Sequence, residues 1–254
     1  MTRDLPNGRG HLTIVDDAEA LARAAAARVV EVTRQAVDER GVAVIALSGG
    51  STPKRMGELL ATPDFAPFVP WDRTEIFWGD ERWVPLEDAE SNAGAALRGW
   101  LQQVANRGRV HPVDTTLPSP DDGAAAYEAT IRERTGARLT IPAFDLILLG
   151  MGDDGHTASL FPETTALGRE DALVVANHVP KLNTDRITFT YPMINAARDV
   201  VFLVGGAGKR ETLHAVLDGP EQLRRYPSQG VRPAGGKLTW LVDRAAAEDL
   251  DEAE

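Results

Sequence analysis

The chain has no cysteine, which removes disulfide bridges and thiolate nucleophiles from consideration and favours an intracellular location. Positive charge is scarce: 27 Lys and Arg stand against 38 Asp and Glu, a formal net charge of -11. A field of that sign repels nucleic acid and anionic membrane, so neither is expected as a partner, and an anionic ligand would need a local cluster of cations. No apolar run approaches the roughly 20 residues of a membrane span. The opening MTRDLPNGRGHLTIVDDAEA has no apolar stretch of the signal-peptide kind, so a cytoplasmic protein is expected. Histidines number five, without HExxH or a paired spacing, and no metal site is expected. GxxxxGK[ST] is also absent, which excludes a P-loop.

What is present is enough for a large core: 254 residues, 43% of them apolar, read as one domain over 1–254 with its core at about 12–243. Leu12 to Val15 reads as a strand. Asp16 or Asp17 caps a helix to about Arg40, with Gly41 in the terminating position. Val42 to Leu47 is a buried strand, and Thr52 is expected to cap a helix whose first residue is Pro53. Thr74 to Trp78 is a strand. Ser91 is expected to cap a helix through Val104, and Asp121 or Asp122 a helix to about Arg134. Strands follow at Phe144 to Leu149, Ala172 to Ala176, Arg186 to Thr190, Val200 to Val204 and Lys237 to Val242. Short helices are expected at Pro192 to Ala197 and from Gly208 to Leu217, and the tail from Arg244 as a helix or frayed end. Strands alternating with helices predict an α/β fold: a Rossmann-like domain, mostly parallel, with helices on both faces and small additional strands possible. Glycine turns after strands at Gly49, Gly79, Gly150 and Gly205 would then gather at one edge of the sheet.

The chain is organised around FDLILLGMGDDGHTASLFP, Phe144 to Pro162. An apolar run with no alternation fits a strand buried on both faces, and the glycine-rich turn ending it lets backbone approach a ligand. Gly150, Gly152 and Gly155 spell GxGxxG, but Asp153 and Asp154 would repel a pyrophosphate, so a dinucleotide is not expected. His156 is the candidate catalytic residue. Its imidazole, of unperturbed pKa roughly 6.5, can take and return a proton near neutrality, and Asp154 can fix its tautomer. At Ser48–Pro53, amides of Gly49, Gly50, Ser51 and Thr52 at a helix start form a candidate phosphate cradle; an ordinary strand-to-helix turn is the bland alternative. Asp80, Glu81 and Arg82 bring three charges to the end of a strand, as a solvated loop with an internal ion pair or as a carboxylate and a guanidinium projected into one cleft. Arg186 and Lys209, each unremarkable alone, together supply the positive charge that the acidic whole lacks.

SGGSTP (Ser48–Pro53), GDERWVP (Gly79–Pro85), SN (Ser91–Asn92), GMGDDGHTASLFP (Gly150–Pro162) and RITFT (Arg186–Thr190) stand in an order that resembles the 6-phosphogluconolactonases. The resemblance runs from near residue 12 to near residue 243. It implies a fold shared with the glucosamine-6-phosphate isomerases/deaminases, and hydrolysis of 6-phospho-D-glucono-1,5-lactone in the pentose phosphate pathway without metal or cofactor. It implies catalysis by His156, Asp154 and Arg82, and substrate binding by the Ser48–Pro53 turn with Asp80, Arg186 and Lys209. The partner is then a small sugar-phosphate lactone, with monomer or dimer left open. The deaminase relatives share the phosphate turn, the aspartate at Asp80 and the DGH triplet, but carry a glutamate where Phe161 stands here. A sugar-phosphate-binding protein without catalysis on the same fold is the remaining alternative. Trp83, the proline-poor stretch Val179–Asp185 and Arg210 depart from the family's usual pattern.

Overall fold

The computed structural model describes residues 2–137 and 140–250. Seven strands form one sheet in the order β1 (Thr2–Asp4), β2 (His11–Val15), β10 (Lys237–Asp243), β9 (Asp199–Val204), β6 (Leu146–Gly150), β3 (Ala43–Leu47) and β4 (Thr74–Trp78). All its pairings are parallel except β1 with β2. A second sheet is antiparallel, in the order β5 (Asp80–Arg82), β8 (Thr184–Phe189), β7 (Val174–Val179).

The unbroken apolar runs have a direct cause: both faces of the large sheet are covered. Along β3, β6 and β9 successive side chains enter two separate cores. Val44, Ala46, Ile147, Leu149, Val200 and Phe202 pack on one side with α4 (Pro120–Thr135), α5 (Tyr191–Asn195) and α6 (Arg210–Leu217). Ile45, Leu47, Leu146, Leu148, Val201 and Leu203 pack on the other with α1 (Ala18–Arg40), α2 (Ser51–Leu60) and α3 (Asn92–Gly99). The chain leaves β3 toward β4 on one side and β6 toward β9 on the other. The crevice at the carboxyl ends of β3 and β6 is therefore the switch point at which open α/β sheets bind ligands.

Asp17 caps α1 and Gly41 ends it in the left-handed region at φ 80°, as the sequence predicts. Other boundaries differ. β1 was not anticipated; three residues carry too little pattern to read. α2 begins at Ser51 behind Gly50, whose φ of 110° suits glycine alone, so Thr52 is not its cap. α3 stops at Gly99 rather than Val104, and Trp100, 3% exposed, turns inward against α2. A Cβ on Gly57 would lie 2.1 Å from its Nε1. Ser119, not Asp121 or Asp122, caps α4: its Oγ accepts from Asp122 N at 3.1 Å and donates to the Asp122 carboxylate at 2.7 Å. β7 and β8 both extend further toward their connection than expected, leaving only a turn at Pro180–Leu182 and Asn183 at φ 46°. From Arg244 to Leu250 the chain forms turns rather than a helix; 251–254 lie outside the described residues.

Candidate active site

A cleft of about 400 Å³ opens at that switch point. Ser48, Gly49 and Gly50 after β3, Asp80 and Arg82 on β5, Met151 to Asp154 and His156 after β6, Lys181, Arg186 on β8 and Lys209 before α6 all line it. The expected convergence of the glycine turns is thus found. Gly49 and Gly150 line the cleft directly, while the turns at Gly79 and Gly205 deliver Asp80 and Lys209.

The loop after β6 is built to present His156. Gly152 N donates to the His156 carbonyl at 2.8 Å, and Gly155 N to the Gly152 carbonyl at 3.0 Å. Gly155 has φ 76°. Ser228, fully buried, donates from its amide and its hydroxyl to the Gly155 carbonyl at 2.9 and 2.8 Å. His156 Nδ1 lies 2.6 Å from Asp154 Oδ1. The hydrogen bond from the imidazole holds the Asp154 carboxyl well below the usual carboxylate range, against an opposing effect of burial. An ionised carboxylate only accepts, so Nδ1 carries a proton, and in the neutral ring Nε2 is then the acceptor. The imidazole stacks on Phe161 with centroids 3.9 Å apart and planes 19° from parallel. Lys181 Nζ sits 3.4 Å from the second oxygen of Asp154. The dinucleotide reading fails structurally as well: turns, not a helix, follow this loop, so it has no helix N-terminus to offer a pyrophosphate.

The short strand β5 decides the rest. Alternation turns Glu81 inward, where it is 2% exposed. Its carboxylate accepts from Ser91 Oγ at 3.0 Å and from the amides of Asn92, Ala93 and Arg82 at 2.7, 2.9 and 2.8 Å. Burial nevertheless raises its pKa. Ser91 caps α3, as the sequence predicts, its Oγ accepting from Gly94 N at 2.9 Å; Glu81 braces that cap from beneath and is not a cleft residue. Asp80 and Arg82 face the other way. Arg82 stands directly opposite Arg186 across the antiparallel ladder. Like charges so placed repel, and burial first, then Arg82, push the Arg186 guanidinium down from its ordinary value. Arg186 is 9% exposed and its Nε has no hydrogen-bond partner among the described residues. Arg82 donates to the Glu90 carbonyl from Nη1, while its own Nε lacks a partner among the described residues. Two crowded guanidinia, one with no protein acceptor at all among the described residues, make an anion site.

Ser51 and Thr52, expected in the phosphate cradle, form the first turn of α2 and do not line the cleft. Ser48 does line it, and its hydroxyl oxygen is buried with no hydrogen-bond partner among the described residues. Lys209 reaches the cleft, but its ammonium is 2.5 Å from Asp153. Asn92 carries no chemical signal of its own in the sequence beyond the Ser91–Asn92 pair. Its side chain lines the cleft and donates to the Asp80 carbonyl at 3.0 Å. A Cβ on Gly49 would lie 1.9 Å from Asn92 Oδ1, so glycine is required where the two loops meet. Arg210 points away, to Glu248 and Asp249. Among the described residues no three His, Asp or Glu side chains cluster as a metal site, and no helix is long and apolar enough to cross a membrane.

The chain as a whole is similar to known proteins. The profile of the glucosamine-6-phosphate isomerases/6-phosphogluconolactonase matches residues 16–240. A curated 6-phosphogluconolactonase of Synechocystis is 44% identical over 220 residues, 85% of this chain and 88% of that protein. A probable 6-phosphogluconolactonase 2 of Oryza sativa is 35% identical over 97% of this chain and 92% of its own length. The solved 6-phosphogluconolactonase from Trypanosoma cruzi superposes with a TM-score of 0.85 at 28% identity, covering 98% of this chain and 99% of that one.

Proposed function

The chain belongs to the glucosamine-6-phosphate isomerase/6-phosphogluconolactonase family, and on that premise we propose that it hydrolyses 6-phospho-D-glucono-1,5-lactone to 6-phospho-D-gluconate, in the cytoplasm and within the oxidative pentose phosphate pathway. One observation carries the reading: a carboxylate-oriented imidazole and two crowded guanidinia, that of Arg186 without a protein acceptor among the described residues, line the same cleft. Ester hydrolysis of a phosphorylated lactone needs both.

In this mechanism the Nε2 lone pair of His156 takes a proton from water as the water oxygen adds to lactone C1. Asp154 stabilises the imidazolium that forms. The charge developing on the carbonyl oxygen is offset by Arg82, and collapse of the tetrahedral adduct expels the ring oxygen, which recovers the proton from His156. The acid product ionises at neutral pH, so each turnover releases one proton. A positioned general base supplies about 10²–10⁴-fold. Arg186, Lys209 and the amides of Gly49 and Gly50 hold the distal phosphate, and fixing that remote group orients the reacting carbon. Phe161, stacked on the imidazole, stands where the deaminase branch of the resemblance carries a carboxylate. A proton relay for ring opening is therefore lacking, which supports the lactonase reading over isomerisation.

The test is acid release from fresh lactone in a pH-stat. His156→Ala is expected to lower kcat by about 10²–10⁴-fold with an unchanged circular dichroism spectrum; near-wild-type turnover would remove His156 from the chemistry. Ligand binding with no acid release would favour a sugar-phosphate sensor instead. EDTA is expected to leave the rate unchanged, and inhibition that added metal reverses would refute a metal-independent reaction.

A further inference from the structure

Asp80, Arg82, Arg186 and Thr188 share one face of the small sheet. Side chains two apart on a strand point the same way, and the register pairs Arg82 with Arg186 and Asp80 with Thr188. Asp80 is thus a diagonal neighbour of Arg186, at about 7–8 Å on ordinary sheet geometry, within reach of a long side chain. No ion pair nevertheless joins Asp80 to either guanidinium among the described residues. Instead Asp80 Oδ2 accepts from Ser159 Oγ at 2.7 Å. Ser159 is 1% exposed and held at two further points. Its amide donates to Thr188 Oγ1 at 3.1 Å, and its carbonyl accepts from Asn177 Nδ2 at 2.8 Å. Ala158 before it sits at φ 47°, a left-handed conformation that a non-glycine residue keeps only when its surroundings enforce it.

We infer that Ser159 is a positioning residue that withholds Asp80 from Arg186, so that the guanidinium stays available to the anionic group of the substrate. The inference rests on the reading of Arg186 as the anion site. Without the serine hydroxyl, Asp80 turns to the nearest cation. The internal pair then competes with ligand, and apparent affinity falls by the fraction of molecules left open.

The experiment measures binding of inorganic phosphate by calorimetry, a probe that has no sugar hydroxyls for Asp80 to contact. Ser159→Ala is expected to weaken phosphate binding about five- to tenfold. Adding Asp80→Asn is expected to restore it, because an amide cannot neutralise Arg186. Should Ser159→Ala not fold, Ser159→Cys keeps the shape with only a weak donor. Arg186→Met is the control and is expected to lose phosphate binding. If Arg186→Met weakens binding but Ser159→Ala does not, or if the double variant binds no better than Ser159→Ala, the withholding role is wrong and the anion site stands. If Arg186→Met binds phosphate like the wild type, the anion site itself is wrong and the inference falls with it.

Discussion

Gly152 gives the sharpest test of how closely the loop after β6 controls the imidazole. A Cβ built on Gly152 would lie 2.0 Å from His156 Nδ1, 2.2 Å from its Cε1 and 2.9 Å from Asp154 Oδ1. Ordinary contact is at about 3.5–4.0 Å, so Gly152→Ala forces the ring to retreat by more than 1 Å or to break its hydrogen bond with Asp154. Gly152 does not occupy the left-handed region, so alanine fits the backbone and the strain falls on the dyad alone. A misplacement of about 1 Å in catalytic geometry can cost 10²-fold. We expect kcat to fall about 10²-fold, with KM for the lactone changed far less because Arg186 and the Gly49–Gly50 turn lie elsewhere in the cleft. The rate is read from acid release on fresh lactone, and the fold from thermal unfolding. For a chain of this size a 1 kcal/mol loss lowers Tm by about 2–4 °C, and we expect a shift no larger than that. Wild-type kcat in Gly152→Ala would refute the loop geometry. A fall in kcat matched by a collapse of Tm would refute the claim that the strain is confined to the dyad.

Two further outcomes follow from carboxylates. Glu81→Gln replaces one of two accepting oxygens with an NH₂ that must face donors from Ser91 and Ala93 or from Asn92 and Arg82. That buried mismatch is expected to cost about 1–3 kcal/mol in urea unfolding and to raise KM by loosening Asn92; unchanged stability would refute Glu81 as the brace beneath the start of α3. Asp154 has its folded pKa depressed, principally by His156. Its stabilisation is therefore present above the unfolded value of roughly 3.9 and is lost as pH falls below it toward the folded value. The Tm gap between wild type and Asp154→Asn should hold near neutrality and begin to close only as pH falls below about 4. A gap that widened in acid would contradict the assignment.

The sequence by itself determined what depends on near neighbours in the chain. Unalternated runs such as Leu146–Leu149 and Val200–Val204 identify strands covered on both faces, and their alternation with helices identifies a mostly parallel sheet. Gly41 at a helix end, the three glycines around Asp153 and Asp154, and His156 two residues beyond Asp154 are equally local, and the structure keeps them. Even there a short-range ambiguity misled the eye: Asp121 and Asp122 are good caps in isolation, yet Ser119 lies one residue before the proline that opens α4 and takes the position. Tertiary structure alone decided what depends on partners distant in sequence. Nothing near Arg82 announces that Arg186 will stand opposite it, and nothing in GDER separates the inward Glu81 from the outward Asp80 and Arg82 until a strand register is imposed. The same holds for Phe161 over the imidazole, Asp153 on Lys209, and Ser159 on Asp80. The physical reason is that backbone preference and hydrophobic period act over a few residues, whereas a charge takes its meaning from whatever the fold places within a few ångströms of it.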